Sequence, residues 1–364
     1  MQLSFSMMEC HPDPLKVAAY STCPSGLWHA RIAPMIAEPE MIMLNVGANK
    51  GYNLVEFVQR YTSSASNLTH AAWYARLMAY GCQAQCCGVC ASCRATRIPQ
   101  QASAKVHLHA FELQPANAQL LRRMVAAADL PVTVHSTAVS NSSGGVVYTS
   151  NDIKPGSESF GIVRRHHSTQ HVARPVTTVD AFMQEQRIAR AHLVSIDTEG
   201  ARSVPCGMLH LVPFLRIRHV HRISALPPPD MGKPEQHPLL CMTASRAGED
   251  PLVLFGMARV LTERRVEVVE FEYNRKWKAV LRSARPMAPV IEWMRERGYY
   301  CFWQGNKGAL AQLSGTCYRE ETRNRFGFAR SNAVCTHRPD VIAALRTCQR
   351  RPYCSDATST TTST

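Results

Sequence analysis

Short apolar runs that end in polar or glycine-rich turns alternate along this chain with stretches whose apolar residues recur every three or four positions. Apolar runs bounded by turn residues read as buried strands, and a three-to-four spacing reads as the core face of a helix. Strands are predicted at 41–46, 106–113 and 192–197, each followed by a polar turn, and again at 266–273. The segment 132–140 is β-rich and turns through 141–145 into another strand at 146–149. Helices are expected at 52–61, 115–128, 179–186, 252–264 and 289–297, with closing strands at 299–303 and 333–337. Pro115 suits the first turn of its helix, where a missing N–H costs nothing. Strands alternating with helices predict an α/β protein built on a doubly wound, mostly parallel sheet.

Two stretches interrupt this order. Residues 62–104 hold a cysteine-rich run, and residues 201–248 hold Pro227, Pro228 and Pro229, the scattered histidines His210, His219, His221 and His237, and no period. Structureless loops of that length are uncommon inside compact domains. The second stretch is either a flexible insertion or translated intron sequence, and the latter is favoured. The expected organisation is an N-terminal segment over 1–40, one domain over 41–340 with insertions at 62–104 and 201–248, and a tail over 341–364. A chain of 364 residues, 45% of them hydrophobic, can bury one such core. The last ten residues are almost all small and polar and are expected to be disordered.

Candidate chemistry gathers at the strand ends, where ligands bind in open α/β sheets. The first strand runs into Asn45, Gly47, Asn49 and Gly51 within MIMLNVGANKG (41–51). A dinucleotide loop keeps glycine at the second position of its motif so that backbone can approach a pyrophosphate. Asn49 carries a side chain there, which suits a cofactor with an amino-acid tail and no phosphates. The second strand ends at Glu112 in HAFELQPAN (109–117), placed as the acidic residue that holds a ribose. Gly51 and Glu112 lie much farther apart than the usual interval of about 20 residues, so the cysteine-rich stretch is inserted between them. A third segment, TTVDAF (177–182), starts a helix, and Asp180 reads as a helix-start residue near the macrodipole. The fourth, LVSIDTEG (193–200), places Asp197 and Glu199 at a strand end.

In this order the four segments resemble the FkbM-type S-adenosylmethionine-dependent methyltransferase family, with Gln114 in place of the more usual residue before proline. The resemblance runs from about residue 41 to 273. It implies a Rossmann-like fold of the class I methyltransferase type and methyl transfer from S-adenosylmethionine, most naturally to a hydroxyl of a small molecule or glycan. Asn45, Gly47, Asn49, Gly51, Glu112, Ala138 and Asp197 would hold the cofactor, and Asp197, Glu199 and Glu272 would line the catalytic cleft. Glu270, with Glu272, could line the acceptor side, and His166 and His167 are weaker candidates. After Gly200 the family pattern breaks and looks displaced to EDPLVLFG (249–256). The alternatives are a non-catalytic binding module on the same fold and a nucleic-acid methyltransferase.

Cysteine usage and charge adjust this picture. The run Cys82, Cys86, Cys87, Cys90 and Cys93 has two-residue gaps that let thiolates converge on one ion, so a structural zinc competes with surface thiols and with disulfides. No secretory leader is legible, so reduced thiols and an intracellular, cytoplasmic setting are favoured. The net charge is +14, with a surplus of arginine near the C-terminus. A basic face can attract nucleic acid, yet no aromatic interleaving accompanies it, and a solvated face is preferred. No apolar run approaches the ~20 residues of a membrane-spanning helix.

Overall fold

The computed structural model describes residues 28–62, 68–82, 104–151, 153–157, 171–198, 250–274, 276–283, 286–304, 310–315 and 330–350. Its first half alternates as the apolar pattern predicts. Helix α1 (Trp28–Ile36) precedes strand β1 (Glu40–Val46), followed by α2 (Tyr52–Tyr61), α3 (His70–Ala79), β2 (Lys105–Phe111), α4 (Pro115–Ala127) and β3 (Val132–His135). Then come β4 (Ala138–Val139), β5 (Val146–Ser150), β6 (His171–Thr177), α5 (Val179–Glu185) and β7 (Ala191–Ile196). The second half holds α6 (Asp250–Phe255), α7 (Ala258–Thr262), β8 (Val266–Asn274), α8 (Trp277–Val280) and α9 (Met287–Glu296). It closes with β9 (Tyr300–Gln304), β10 (Leu310–Gln312), β11 (Arg330–Thr336) and α10 (Pro339–Arg350).

Eight strands form one sheet in the order β10-β9-β11-β8-β7-β1-β2-β3. Pairing is parallel from β3 through β2, β1 and β7 to β8, while β11 runs antiparallel to both β8 and β9. From the central β1 the chain winds outward through β2 to β3, then returns to the other side at β7. The crevice between the carboxyl ends of β1 and β7 is therefore the switch point where such sheets bind ligands. Every residue of β7 is buried, His192 and Ser195 included, so the strand shows no alternation between a core face and a solvent face.

Apolar side chains of α1, α2, α3, α4 and α10 pack on one face, and those of α5, α6, α7 and α9 on the other. Local capping fixes several ends. The Thr69 and Thr178 side chains accept from the backbone N–H groups of Ala72 and Ala181 at the starts of α3 and α5. Asp180 takes a structural place: its carboxylate accepts from the backbone N–H groups of Arg259 and Val260, both at 2.9 Å, and so caps α7 rather than its own helix.

The structure corrects several expectations. Residues 252–264 form two helices, α6 and α7, not one. Gly256 lies so close to the Ser140 carbonyl that an added Cβ would stand 2.0 Å from its oxygen, and Asp180 caps the second piece. Residues 171–177 form β6, a strand that the apolar pattern did not predict. Part of the first supposed insertion is core, because α3 buries Trp73 and Leu77. Upstream of residue 41, α1 buries Trp28, Ile32 and Ile36, and beyond residue 340, α10 buries Val341, Leu345 and Cys348. Glu199, His166, His167, Cys86, Cys87, Cys90, Cys93, residues 201–248 and the last ten residues lie outside the described residues.

Candidate active site at the sheet's carboxyl edge

The loop after β1 is shaped by its backbone. Gly47, Asn49 and Gly51 all adopt positive φ, at 81°, 45° and 80°, the left-handed region that glycine enters freely and asparagine tolerates. A Cβ on Gly47 would stand 2.0 Å from the Asp197 carbonyl oxygen, so the end of β7 requires glycine there. The backbone N–H groups of Gly47 and Ala48 donate to the Phe111 carbonyl at 3.0 and 2.9 Å, which ties the loop to the end of β2. Trp73 of α3 supports the loop from behind, its indole N–H donating to the Lys50 carbonyl at 2.7 Å.

Glu112 is brought to this loop as expected. Its Oε2 accepts the backbone N–H of Asn49 at 2.7 Å and its Oε1 that of Gln114 at 2.8 Å. Burial pushes the carboxyl up to about 7 despite both amides and the nearby Lys50. Asn117, one turn into α4, links three segments: its side-chain N–H₂ donates to the Ser157 carbonyl at 3.0 Å, its Oδ1 accepts the Gly156 N–H at 2.8 Å, and Asn49 Oδ1 lies 3.4 Å away. Asn45, facing the same crevice end of β1, is 1% exposed, and neither side-chain oxygen nor nitrogen has a hydrogen-bond partner among the described residues. An orphaned buried amide is costly, and it marks a place for a polar ligand group. Ala138 packs in the small cluster with Val147, Val176 and Leu113, beside the end of β2.

Across the crevice the site is acidic. The Asp197 backbone N–H donates to the Val46 carbonyl at 2.9 Å, and Thr198 follows. The Thr198 backbone N–H donates to Asp250 Oδ1 at 2.7 Å, and its hydroxyl donates to the same oxygen. Asp250 is wholly buried, and burial together with the Glu272 and Asp197 carboxylates holds its carboxyl well above the usual range. Asp197 and Glu272, toward the ends of β7 and β8, thus lie close enough for their charges to act on Asp250. Glu270 is engaged elsewhere, its Oε1 accepting from the amides of Gln304 at 2.7 Å and Asn332 at 3.3 Å. Asp250, Asn117 and Trp73 were not singled out in the sequence. Asn117 lies in HAFELQPAN and Asp250 in the displaced segment EDPLVLFG, so both had a signal; Trp73 had none.

The zinc expectation loses a ligand. Cys82 is disulfide-bonded, and so are Cys301, Cys335 and Cys348, which goes against the expectation of reduced thiols. A different group of metal-type side chains, Glu38, His192 and Glu267, meets at the opposite edge of the sheet. Its wiring is that of an ion-pair network. Arg190 bridges Glu38 and Glu267, Arg338 holds the other oxygen of Glu267 at 3.0 Å, and Arg338 also binds Asp340. His192 Nδ1 accepts the Ile42 N–H at 3.0 Å, so a neutral ring carries its proton on Nε2, aimed at Glu38. A protonated nitrogen has no lone pair for a metal.

Among the described residues, no helix is long and apolar enough to cross a membrane. Residues 45–201 match the family model of the methyltransferase FkbM domain. The match opens on Asn45 and stops where the 201–248 interruption begins. No curated protein matches the chain.

Proposed function

We propose that this chain is an S-adenosylmethionine-dependent methyltransferase that acts on a hydroxyl oxygen of a small molecule or glycan. The observation that carries this reading is the pairing of Glu112 with the orphaned Asn45 amide on either side of one glycine-rich loop. Glu112 is fixed by two backbone amides and keeps lone pairs for ribose hydroxyls, and Asn45 can satisfy its own buried amide only with a polar partner. The loop also speaks against a dinucleotide, because the Asn49 side chain reaches toward Asn117 where a pyrophosphate would need bare backbone. Asn45, Gly47, Asn49, Gly51, Glu112 and Ala138 would hold the cofactor, which supplies an electrophilic methyl on a sulfonium.

The protein's share is orientation and proton removal. Holding donor and acceptor in line can lower a barrier by about 7–11 kcal/mol. Asp197 and Glu272, at adjacent strand ends, would take the proton of an acceptor hydroxyl, a contribution of roughly 10²–10⁴-fold. The same carboxylates disfavour an acceptor that carries phosphates, which argues against nucleic acid.

Calorimetry tests the cofactor half of the proposal. S-adenosylhomocysteine should bind the full chain, and Glu112→Ala should weaken binding by roughly 1.5–3 kcal/mol through lost charged hydrogen bonds. Tighter binding of NAD than of S-adenosylhomocysteine would overturn the assignment. For the acceptor half, label carried from the cofactor's methyl into products should resist mild base as an ether does; a base-labile methyl ester would refute O-methylation of a hydroxyl.

A further inference from the structure

We propose that Asp250 is a positioning residue of this site: a neutral carboxylic acid that fastens the turn of Asp197 and Thr198 beneath the glycine loop and presents its second oxygen as a hydrogen-bond donor to the carboxylates beside it. The inference deepens the methyltransferase reading and rests on it for the identity of the site.

The connection can be followed atom by atom. Asp250 is the first residue of α6, beyond the interruption, and its Oδ1 receives both the backbone N–H and the hydroxyl of Thr198. Thr198 follows Asp197, whose N–H is held by the Val46 carbonyl and whose own carbonyl packs against Gly47. Movement at Asp250 would therefore pass through two residues into the loop that carries Asn49 and meets Glu112. No other described side chain bonds Thr198.

The second oxygen explains why an acid serves there. Asp250 Oδ2 is buried and has no hydrogen-bond partner among the described residues. Among the described residues its charged neighbours are Glu272 from β8 and Asp197 from the end of β7, both acidic. An ionised oxygen left in that position would suffer desolvation and like-charge repulsion without a compensating donor. A proton on Oδ2 removes both penalties, turns the oxygen into a donor toward its acidic neighbours, and leaves Oδ1 free to accept both Thr198 bonds. Burial raises the carboxyl in the same sense.

Two substitutions separate this role from a charged one. Asp250→Asn keeps the Oδ1 acceptor and replaces the O–H donor with N–H; Asp250→Ala removes both. With S-adenosylhomocysteine as probe, Asp250→Asn should bind within about 3-fold of the unaltered chain, and Asp250→Ala at least ~10-fold more weakly, as the loss of two hydrogen bonds implies. Stability is read against pH in parallel. An acid whose folded pKa is raised stabilises fully below its unfolded value of 3.8 and loses that contribution as pH rises toward its folded value. The unaltered chain should thus lose stability relative to Asp250→Asn as pH rises from 4. An asparagine variant as weak as the alanine variant, or an alanine variant as tight as the unaltered chain, would overturn the proposal. So would a stability difference running the other way, which decides the matter even if Asp250→Ala does not fold. If the unaltered chain fails to bind the probe, the methyltransferase reading falls, and the pH comparison still judges Asp250.

Discussion

Glu112 is held by two amides and is still difficult to ionise, because burial outweighs both hydrogen bonds and the charge of Lys50. The folded protein without cofactor holds a proton there that the unfolded chain gives up near 4.5, so the group's contribution to stability is present below 4.5 and lost as pH rises to about 7. A ligand whose hydroxyls donate to Glu112 favours the ionised form and should bind better above that value. Affinity for S-adenosylhomocysteine is expected to fall by up to about 10-fold per pH unit below pH 7, the limit for a single proton, and to level off above it. A flat titration from pH 5 to 8 would remove Glu112 from the ligand. At this scale the sequence was informative about residue types and silent about their partners. Asn45, Gly47, Asn49 and Glu112 could be named because strand ends carry sites. Nothing in their order says that Asn49 supplies an amide to Glu112 or that Asn117 ties Gly156 to the loop, since those bonds join distant parts of the chain.

The ends of β7 and α6 meet although the chain between them is long. Thr198 donates to Asp250 at 2.7 Å across a separation of 52 residues, so the two sides of the interruption lie next to each other. A chain joining Gly200 directly to Glu249 should therefore fold and bind S-adenosylhomocysteine at least as well as the full chain, as calorimetry and thermal melting would show. Loss of folding on deletion would make residues 201–248 structural, and transcript sequencing would show whether they are translated. Elements escaped the sequence reading for particular reasons. Pro175 opposes a strand assignment, yet β6 forms because its pairing with β4 begins only at Val176, beyond the missing N–H. Helix α3 shows only Trp73 and Leu77 as a narrow apolar stripe and lies next to the cysteine run, which drew the stretch toward a metal reading. The break between α6 and α7 depends on contact of Gly256 with Ser140, a residue more than a hundred positions away.

Across the whole molecule, the antiparallel edge of the sheet carries a covalent tie. Cys301 and Cys335 are register partners on β9 and β11, both fully buried, and their disulfide closes a loop of sequence separation 34. Replacing both with alanine should lower stability by about 2–4 kcal/mol, read as a lower denaturant midpoint than that of the unaltered chain, both without reductant. An unchanged midpoint would mean that the bond contributes nothing. The sequence by itself determined the parallel half of this protein: buried parallel strands must be continuous apolar runs, their helices must show one apolar face, and both periods can be read locally. It also singled out the carboxyl ends of β1, β2 and β7 as the place of the proposed site, because those runs end in polar residues. Only the tertiary structure decided that Asp250 joins Asp197 and Glu272, that α1 and α10 complete the core, that Glu38, His192 and Glu267 form an ion-pair network, and that Cys301 faces Cys335. Each of these depends on which distant residues become neighbours, and local periodicity carries no record of that.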